Sequence, residues 1–275
     1  MTIIDSHQHF WKFDPIKDQW ITDEMKLLKN DFLPQNLIPV YQQNKVSACV
    51  VVQADTSEKE TNFLLDLADN YDFIYGVVGW FDLCAKNISE RLAFYSQHKK
   101  LKGVRMLVQQ KPKGFMARKD FRYGIRQLAT FKMSYDLLIY PHQLEEANTL
   151  VEAFPKQTFI LDHLAKPNIR KQPETDWKKG IQKIAQHPNI ACKVSGMVTE
   201  TNWNQWKKID FIPYLDWIIT CFGTDRLLFG SDWPVCLLSG NYTQVLEIVK
   251  SYFSGFSKEE QTAVFANNAK VYYRL

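Results

Sequence analysis

A single (β/α)8 TIM barrel with a C-terminal helix, one domain over 1–275, is the fold this sequence predicts, and three observations predict it. Eight short runs rich in Val, Ile, Leu and aromatics recur along the chain, and helical patterns fill the intervals between them. The segments after the runs are long, at 10–33, 108–118, 163–176, 195–206 and 231–241, whereas those before them are a few residues. In a barrel that asymmetry places the elaborated loops on the C-terminal face, where active sites of this fold are assembled.

The strands fall near 2–7, 48–54, 73–80, 102–107, 134–139, 157–162, 190–194 and 226–230. Runs such as ACVVVQA and FIYGVVGWF are continuously apolar, as expected when helices cover a parallel sheet. Between the second and third strands Leu64, Leu67, Ala68 and Tyr71 repeat at helical spacing, and between the fifth and sixth Leu144, Ala147, Val151 and Phe154 keep the same period. After the eighth, Val245, Ile248, Val249 and Tyr252 form another stripe, and Ser257 with Glu260 reads as a capping box opening a last helix toward Tyr272. No Gly-, Ser- or Pro-rich linker divides the chain.

Composition excludes several classes. With 45% hydrophobic and 23% charged residues the chain can build a sizeable core, which argues against disorder. The net charge of +4 is scattered along the chain, so no nucleic-acid partner is expected. The longest stretch free of charged residues, Trp233 to Leu246, is 14 residues and broken by Pro234 and Gly240, too short for a membrane span. The N-terminus carries no signal-peptide pattern, and the five cysteines are an odd number with no C-x-x-C pair, so a reducing, cytoplasmic setting is expected. A homo-oligomer is left open. There is no G-x-S-x-G, Walker A or G-x-G-x-x-G, which removes those nucleophile, phosphate-binding and dinucleotide-binding motifs.

The chemistry-bearing residues gather at strand ends. Strand one ends Asp5-Ser6-His7-Gln8-His9, and alternation along a strand puts His7 and His9 on one side, as a metal-binding pair or as two hydrogen-bonded histidines. Strand six ends Asp162-His163, and strand eight runs into Gly230-Ser231-Asp232-Trp233-Pro234. Three imidazoles and one carboxylate suit one zinc-like ion, which makes a water easier to deprotonate. Asp232 is then a metal ligand, the group that deprotonates water, or both; the plain alternatives are an Asx-turn before Pro234 and a core histidine at 163.

Arg105, Lys166 and Lys193 lie near the ends of strands four, six and seven. Arg105 and Lys193 are read either as cations for an anionic or hydroxylated substrate or as internal ion pairs with Asp136 or Asp162, and Lys166 as exposed. His142, after strand five, and Trp80, ending strand three, are further substrate-contact candidates. Trp11, Phe13, Trp20 and Trp233 either wall a pocket or pack the barrel top. His98 and His187 read as solvated.

The strand-end set resembles the amidohydrolase superfamily, and the motifs resemble its sugar-lactonase branch, the L-fuconolactonase and L-rhamnonolactonase-like proteins. The resemblance covers nearly the whole chain: DSHQHFW at 5–11, GVRMLVQ at 103–109, YDLLIYPHQL at 135–144, FILDHLAKP at 159–167, CKVSGMVTE at 192–200, LLFGSDWPVCLL at 227–238 and NNAKVYY at 267–273. It implies hydrolysis of a sugar-acid lactone, a small-molecule partner, a metal set of His7, His9, His163 and Asp232, and Arg105 as the substrate-binding cation.

Binuclear superfamily members carry a bridging lysine or glutamate and histidines on two later strands. Here strand four offers Arg105 and strand five no histidine at its end, so the resemblance implies at most one divalent ion, zinc, in a branch where it can be loosely held or dispensable. Asp232, helped by the ion or by His163, would take a proton from the attacking water and return it to the leaving ring oxygen, with Arg105 and Lys193 on substrate groups. Two other readings stay open: a non-oxidative decarboxylase of the same superfamily, and a catalytically idle barrel that binds a sugar acid.

Overall fold

The computed structural model describes residues 2–275. Eight parallel strands, β1 (Ile4–Gln8), β2 (Ala48–Val52), β3 (Ile74–Gly79), β4 (Leu101–Val104), β5 (Ser134–Leu137), β6 (Phe159–Leu161), β7 (Ile190–Val194) and β8 (Leu227–Phe229), pair in sequence order. The seam between the first and last is closed where the chain leaves them. Asp232 N donates to His7 O at 2.8 Å, His9 N to Trp233 O at 2.7 Å, and the Ser6 hydroxyl to Phe229 O at 2.6 Å.

The helices α1 (Pro34–Asn44), α2 (Glu58–Asn70), α3 (Ile88–Tyr95), α4 (Lys119–Thr130), α5 (Leu144–Ala153), α6 (Thr175–Ile184), α7 (Ile212–Phe222) and α8 (Tyr242–Phe253) follow the strands in turn. Their starts are written in the sequence. Ser57 caps α2 by accepting from Glu60 N at 3.2 Å, and Asn241 caps α8 by accepting from Gln244 N at 2.9 Å. The capping box at Ser257 and Glu260 forms, but the last helix is not uniform: α9 (Lys258–Thr262) passes through a π-helical turn at Ala263–Asn267 into α10 (Asn268–Tyr273). No helix among the described residues is long and apolar enough to cross a membrane.

Two apolar layers result. One lies between sheet and helices and includes Cys49, Val51, Val77, Leu161 and Phe229 with the inward stripes of the helices. The other fills the barrel with Ile4, Val50, Val52, Val78, Ile160, Ala191 and Leu228, plugged by Ala266, Ala269 and Tyr273 of the C-terminal segment. Above this plug the interior turns polar, because the next inward position on β5 is Asp136, on β7 Lys193, just past β6 Asp162 and just past β4 Arg105, all buried.

Candidate active site

A bulge in β1 sets the site. Asp5 pairs with Cys49 but Gln8 pairs with Val51, so β1 carries one residue more than its partner in this stretch. Asp5 therefore faces the helix layer, taking hydrogen bonds from Tyr41 of α1 at 3.1 Å and Tyr242 of α8 at 3.0 Å, while Gln8 reaches Cys49 in that same layer. His7 and His9 then share the barrel side. Asp5 also accepts from Ser231 N at 2.8 Å, which ties the end of β1 to the loop that carries Asp232.

Three imidazoles converge on one carboxylate oxygen. Asp232 Oδ1 lies 3.3 Å from His9 Nε2, 3.8 Å from His7 Nε2 and 4.0 Å from His163 Nε2. Each ring is oriented from behind: His9 Nδ1 contacts Val52 O at 2.7 Å and His163 Nδ1 the Ser195 hydroxyl at 2.8 Å. Two glycines make room. A Cβ at Gly230 would come within 2.7 Å of the His7 Cβ, and one at Gly196, whose φ is +61°, within 2.5 Å of His163 Nδ1.

Backbone strain concentrates here. His163, Leu164, Ala165 and Lys166 form a left-handed turn with φ of 53°, 54°, 60° and 52°, closed by Lys166 N donating to His163 O at 2.7 Å, and Asp232 has φ 58°. Left-handed backbone costs a non-glycine residue about 1–2 kcal/mol, so buried Leu164 and Ala165 and the Trp177 indole on Leu164 O at 2.8 Å must hold it.

The electrostatics favour neutral imidazoles at His7 and His163 beside a carboxylate. Burial, then the Lys193 ammonium, holds His7 well below the ordinary histidine range, and burial takes His163 down to about 4. Burial alone would push Asp232 up, but His163, the hydrogen bond with His9 and His7 together hold it below the usual carboxylate range. Two neighbouring groupings, His7-His9-Asp232 and His7-Asp162-His163, have ligand atoms close enough to share a cation. Imidazole nitrogen and carboxylate donors, with His7 and His163 neutral, fit a zinc-type ion.

The expected substrate cations do not open onto the mouth. Lys193 is 0% exposed and donates to Asp136 Oδ2 at 2.5 Å, with Asp162 Oδ1 at 3.0 Å. Arg105 is buried, with Nη1 on Asp162 Oδ2 at 3.2 Å and Nη2 on Gln53 O at 2.5 Å. Both therefore form the internal ion pairs, which compensate the hydration that cations lose at this depth.

Lys166 is half-buried rather than exposed, 3.8 Å from Glu200 and 5.8 Å from the Tyr140 ring centre, and exposed His142 stacks on that same ring. Trp80 is half-buried, its backbone pinned by the Thr61 hydroxyl. Trp11, Trp20, Phe32, Trp233 and Phe10 pack edge to face on one another, closing the top. Trp11 and Phe13 also line a cavity of about 400 Å³ with Asp55 and Glu60. His98 and His187 are half-buried and bond to Asp69 and Asn148, away from the site. Sequence reasoning did not single out Gln53, Ser195 and Glu200; Gln53 and Ser195 directly follow β2 and β7 and carry the same positional signal as the histidines, whereas Glu200, in the turn Val198–Glu200, carries none.

The family described as Amidohydrolase matches residues 4–275. The chain belongs to the amidohydrolase family. An L-fucono-1,5-lactonase from Burkholderia multivorans is 34% identical over 284 residues, covering 99% of this chain and 96% of that one. A second L-fucono-1,5-lactonase, from Burkholderia ambifaria, is 30% identical over 99% of this chain and 95% of its own. Among solved structures, a Burkholderia multivorans amidohydrolase with bound zinc superposes with a TM-score of 0.95 at 34% identity, each chain covered completely. As in TIM-barrel enzymes generally, the convergent groups stand at the C-terminal ends of the barrel strands.

Proposed function

We propose that this amidohydrolase hydrolyses the ring ester of a sugar-acid lactone, of which L-fucono-1,5-lactone is the first candidate. The observation that carries the reading is the convergence of three imidazole Nε2 atoms on Asp232 Oδ1 within 4.0 Å. The names of the full-length relatives supply the substrate class. All five cysteines are unpaired, which suits the cytoplasm as its compartment.

A zinc ion held by His7, His9, His163 and Asp232 would supply Lewis acidity and make a water easier to deprotonate. Asp232, ionised and facing the mouth, accepts a proton from the water as its oxygen bonds to the lactone carbonyl carbon. As the carbon–oxygen ring bond breaks, the same carboxyl returns that proton to the leaving ring oxygen. The products are a carboxylic acid and a free hydroxyl, and the acid ionises in solution. His163, its ring set by Ser195, stays 4.0 Å from Asp232 Oδ1 as one of the neutral imidazoles around it. Sugar hydroxyls are assigned to Lys166 with Glu200, Trp80 and His142.

The test is acidification, followed with a pH indicator, across aldonolactones including L-fucono, L-rhamnono and galactono forms, with Asp232→Asn alongside. Rapid acidification that falls about 10²–10⁴-fold in a folded Asp232→Asn protein is expected. Silence across the panel with zinc supplied contradicts the reading, and release of carbon dioxide from aromatic or sugar carboxylates would replace it with decarboxylation.

A further inference from the structure

Both ring nitrogens of His7 face cations. Nδ1 lies 3.0 Å from Lys193 Nζ and 3.3 Å from Asp162 Oδ1. Nε2 lies 3.3 Å from Arg105 Nη1 and 3.8 Å from Asp232 Oδ1. An ammonium and a guanidinium only donate, and a neutral imidazole has one N–H and one lone pair, so the two tautomers are not equivalent.

With hydrogen on Nε2, that N–H meets the Arg105 donor, and its nearest carboxylate oxygen is out of hydrogen-bond range. With hydrogen on Nδ1, it meets Asp162 Oδ1, a fully buried oxygen short of a well-aligned donor, and Arg105 donates to the Nε2 lone pair. Lys193 donates to Asp136 Oδ2 at 2.5 Å and stands as an ion pair 3.0 Å from Asp162 Oδ1, and its ammonium can turn its hydrogens away from Nδ1, whereas the planar Arg105 guanidinium has its N–H directions fixed. Asp136 is anchored in turn by the Tyr273 hydroxyl at 2.6 Å, from the C-terminal helix that plugs the barrel.

We propose that Asp162 is a positioning residue: its carboxylate takes the Nδ1 hydrogen of His7 and fixes the tautomer whose Nε2 lone pair points toward Asp232, while Lys193, clamped by Asp136, holds that carboxylate in place. The consequence for metal binding rests on the hydrolytic reading above; the tautomer itself does not. Asp162 touches neither water nor substrate in this arrangement, and its effect passes through the His7 ring.

The experiment is long-range proton–nitrogen NMR of the metal-free enzyme labelled with nitrogen-15 histidine, with the His7 signals assigned by their loss in His7→Gln. Wild type is expected to show a protonated Nδ1 and an unprotonated Nε2 at His7. In Asp162→Asn the ring should populate both tautomers, and zinc affinity, measured by competition with a chromogenic chelator, should fall about 10–100-fold. A His7 ring protonated at Nε2 in wild type overturns the proposal, as does a folded Asp162→Asn protein with unchanged tautomer and zinc affinity. If Asp162→Asn does not fold, the wild-type spectrum decides alone. A wild type that binds no zinc undoes the metal reading, and the ring spectrum still upholds or overturns the tautomer.

Discussion

His163 depends on a neighbour that has no side chain. Gly196 stands where any Cβ would come within 2.5 Å of His163 Nδ1, and its φ of +61° already disfavours an L side chain. Gly196→Ala is therefore expected to cost about 1–3 kcal/mol in urea unfolding and to weaken turnover more than stability alone explains, because it displaces the ring. Gly255→Ala, with nothing within 4 Å of the added methyl, is the matched control and should leave turnover unchanged. Single residues of this kind show where sequence reading stops. His7, His9, His163 and Asp232 were legible because each ends a strand. The roles of Arg105 and Lys193 were not, since choosing between substrate and ion pair needs the depth of each side chain in the barrel. The left-handed turn at His163–Lys166 was also hidden, because His-Leu-Ala-Lys contains no Gly or Asn to announce it.

At the scale of elements, α2 is started by a carboxyl with a measurable signature. Glu60, buried in the first turn, accepts from the backbone N–H groups of Ala54 and Asp55, which pins the end of β2 where Val52 O meets His9. Burial pushes Glu60 up to about 7 against an ordinary 4.5, although those backbone hydrogen bonds pull it down. The folded protein thus holds this proton to higher pH than the unfolded chain does. The associated stability is complete below 4.5, declines as pH rises, and is lost by about 7, a difference of roughly 3 kcal/mol. Urea midpoints of wild type and Glu60→Gln should therefore diverge between pH 5 and pH 8, with the wild type losing more. Parallel curves contradict the assignment. The strands and the caps at Ser57, Asn241 and Ser257 were readable from pattern. The β1 bulge was not, because the alternation that puts His7 beside His9 says nothing about its phase relative to Ile4.

Across the whole molecule, a layered interior explains how one barrel supports both stability and chemistry. An apolar plug closed by the C-terminal helix fills the floor, a charge-balanced layer of Asp136, Lys193, Asp162 and Arg105 lies above it, and the imidazoles and Asp232 stand on that layer. Burying two carboxylates and two cations gains little stability by itself, but it holds His7 from beneath through buried ion pairs. Eight strands with long following loops were enough to read this architecture from the sequence. The polar middle layer emerges only when inward positions from four strands are brought to one height.

In the proposed reaction, water attacks the lactone carbonyl under the control of Asp232. Turnover of L-fucono-1,5-lactone in oxygen-18-enriched water, with the product analysed by mass spectrometry, tests it directly. Wild type is expected to place one heavy oxygen in the product carboxylate, and Asp232→Asn to give a strongly reduced yield of labelled acid. Label in the released ring hydroxyl, an undiminished yield with Asp232→Asn, or no acid formed at all would contradict it.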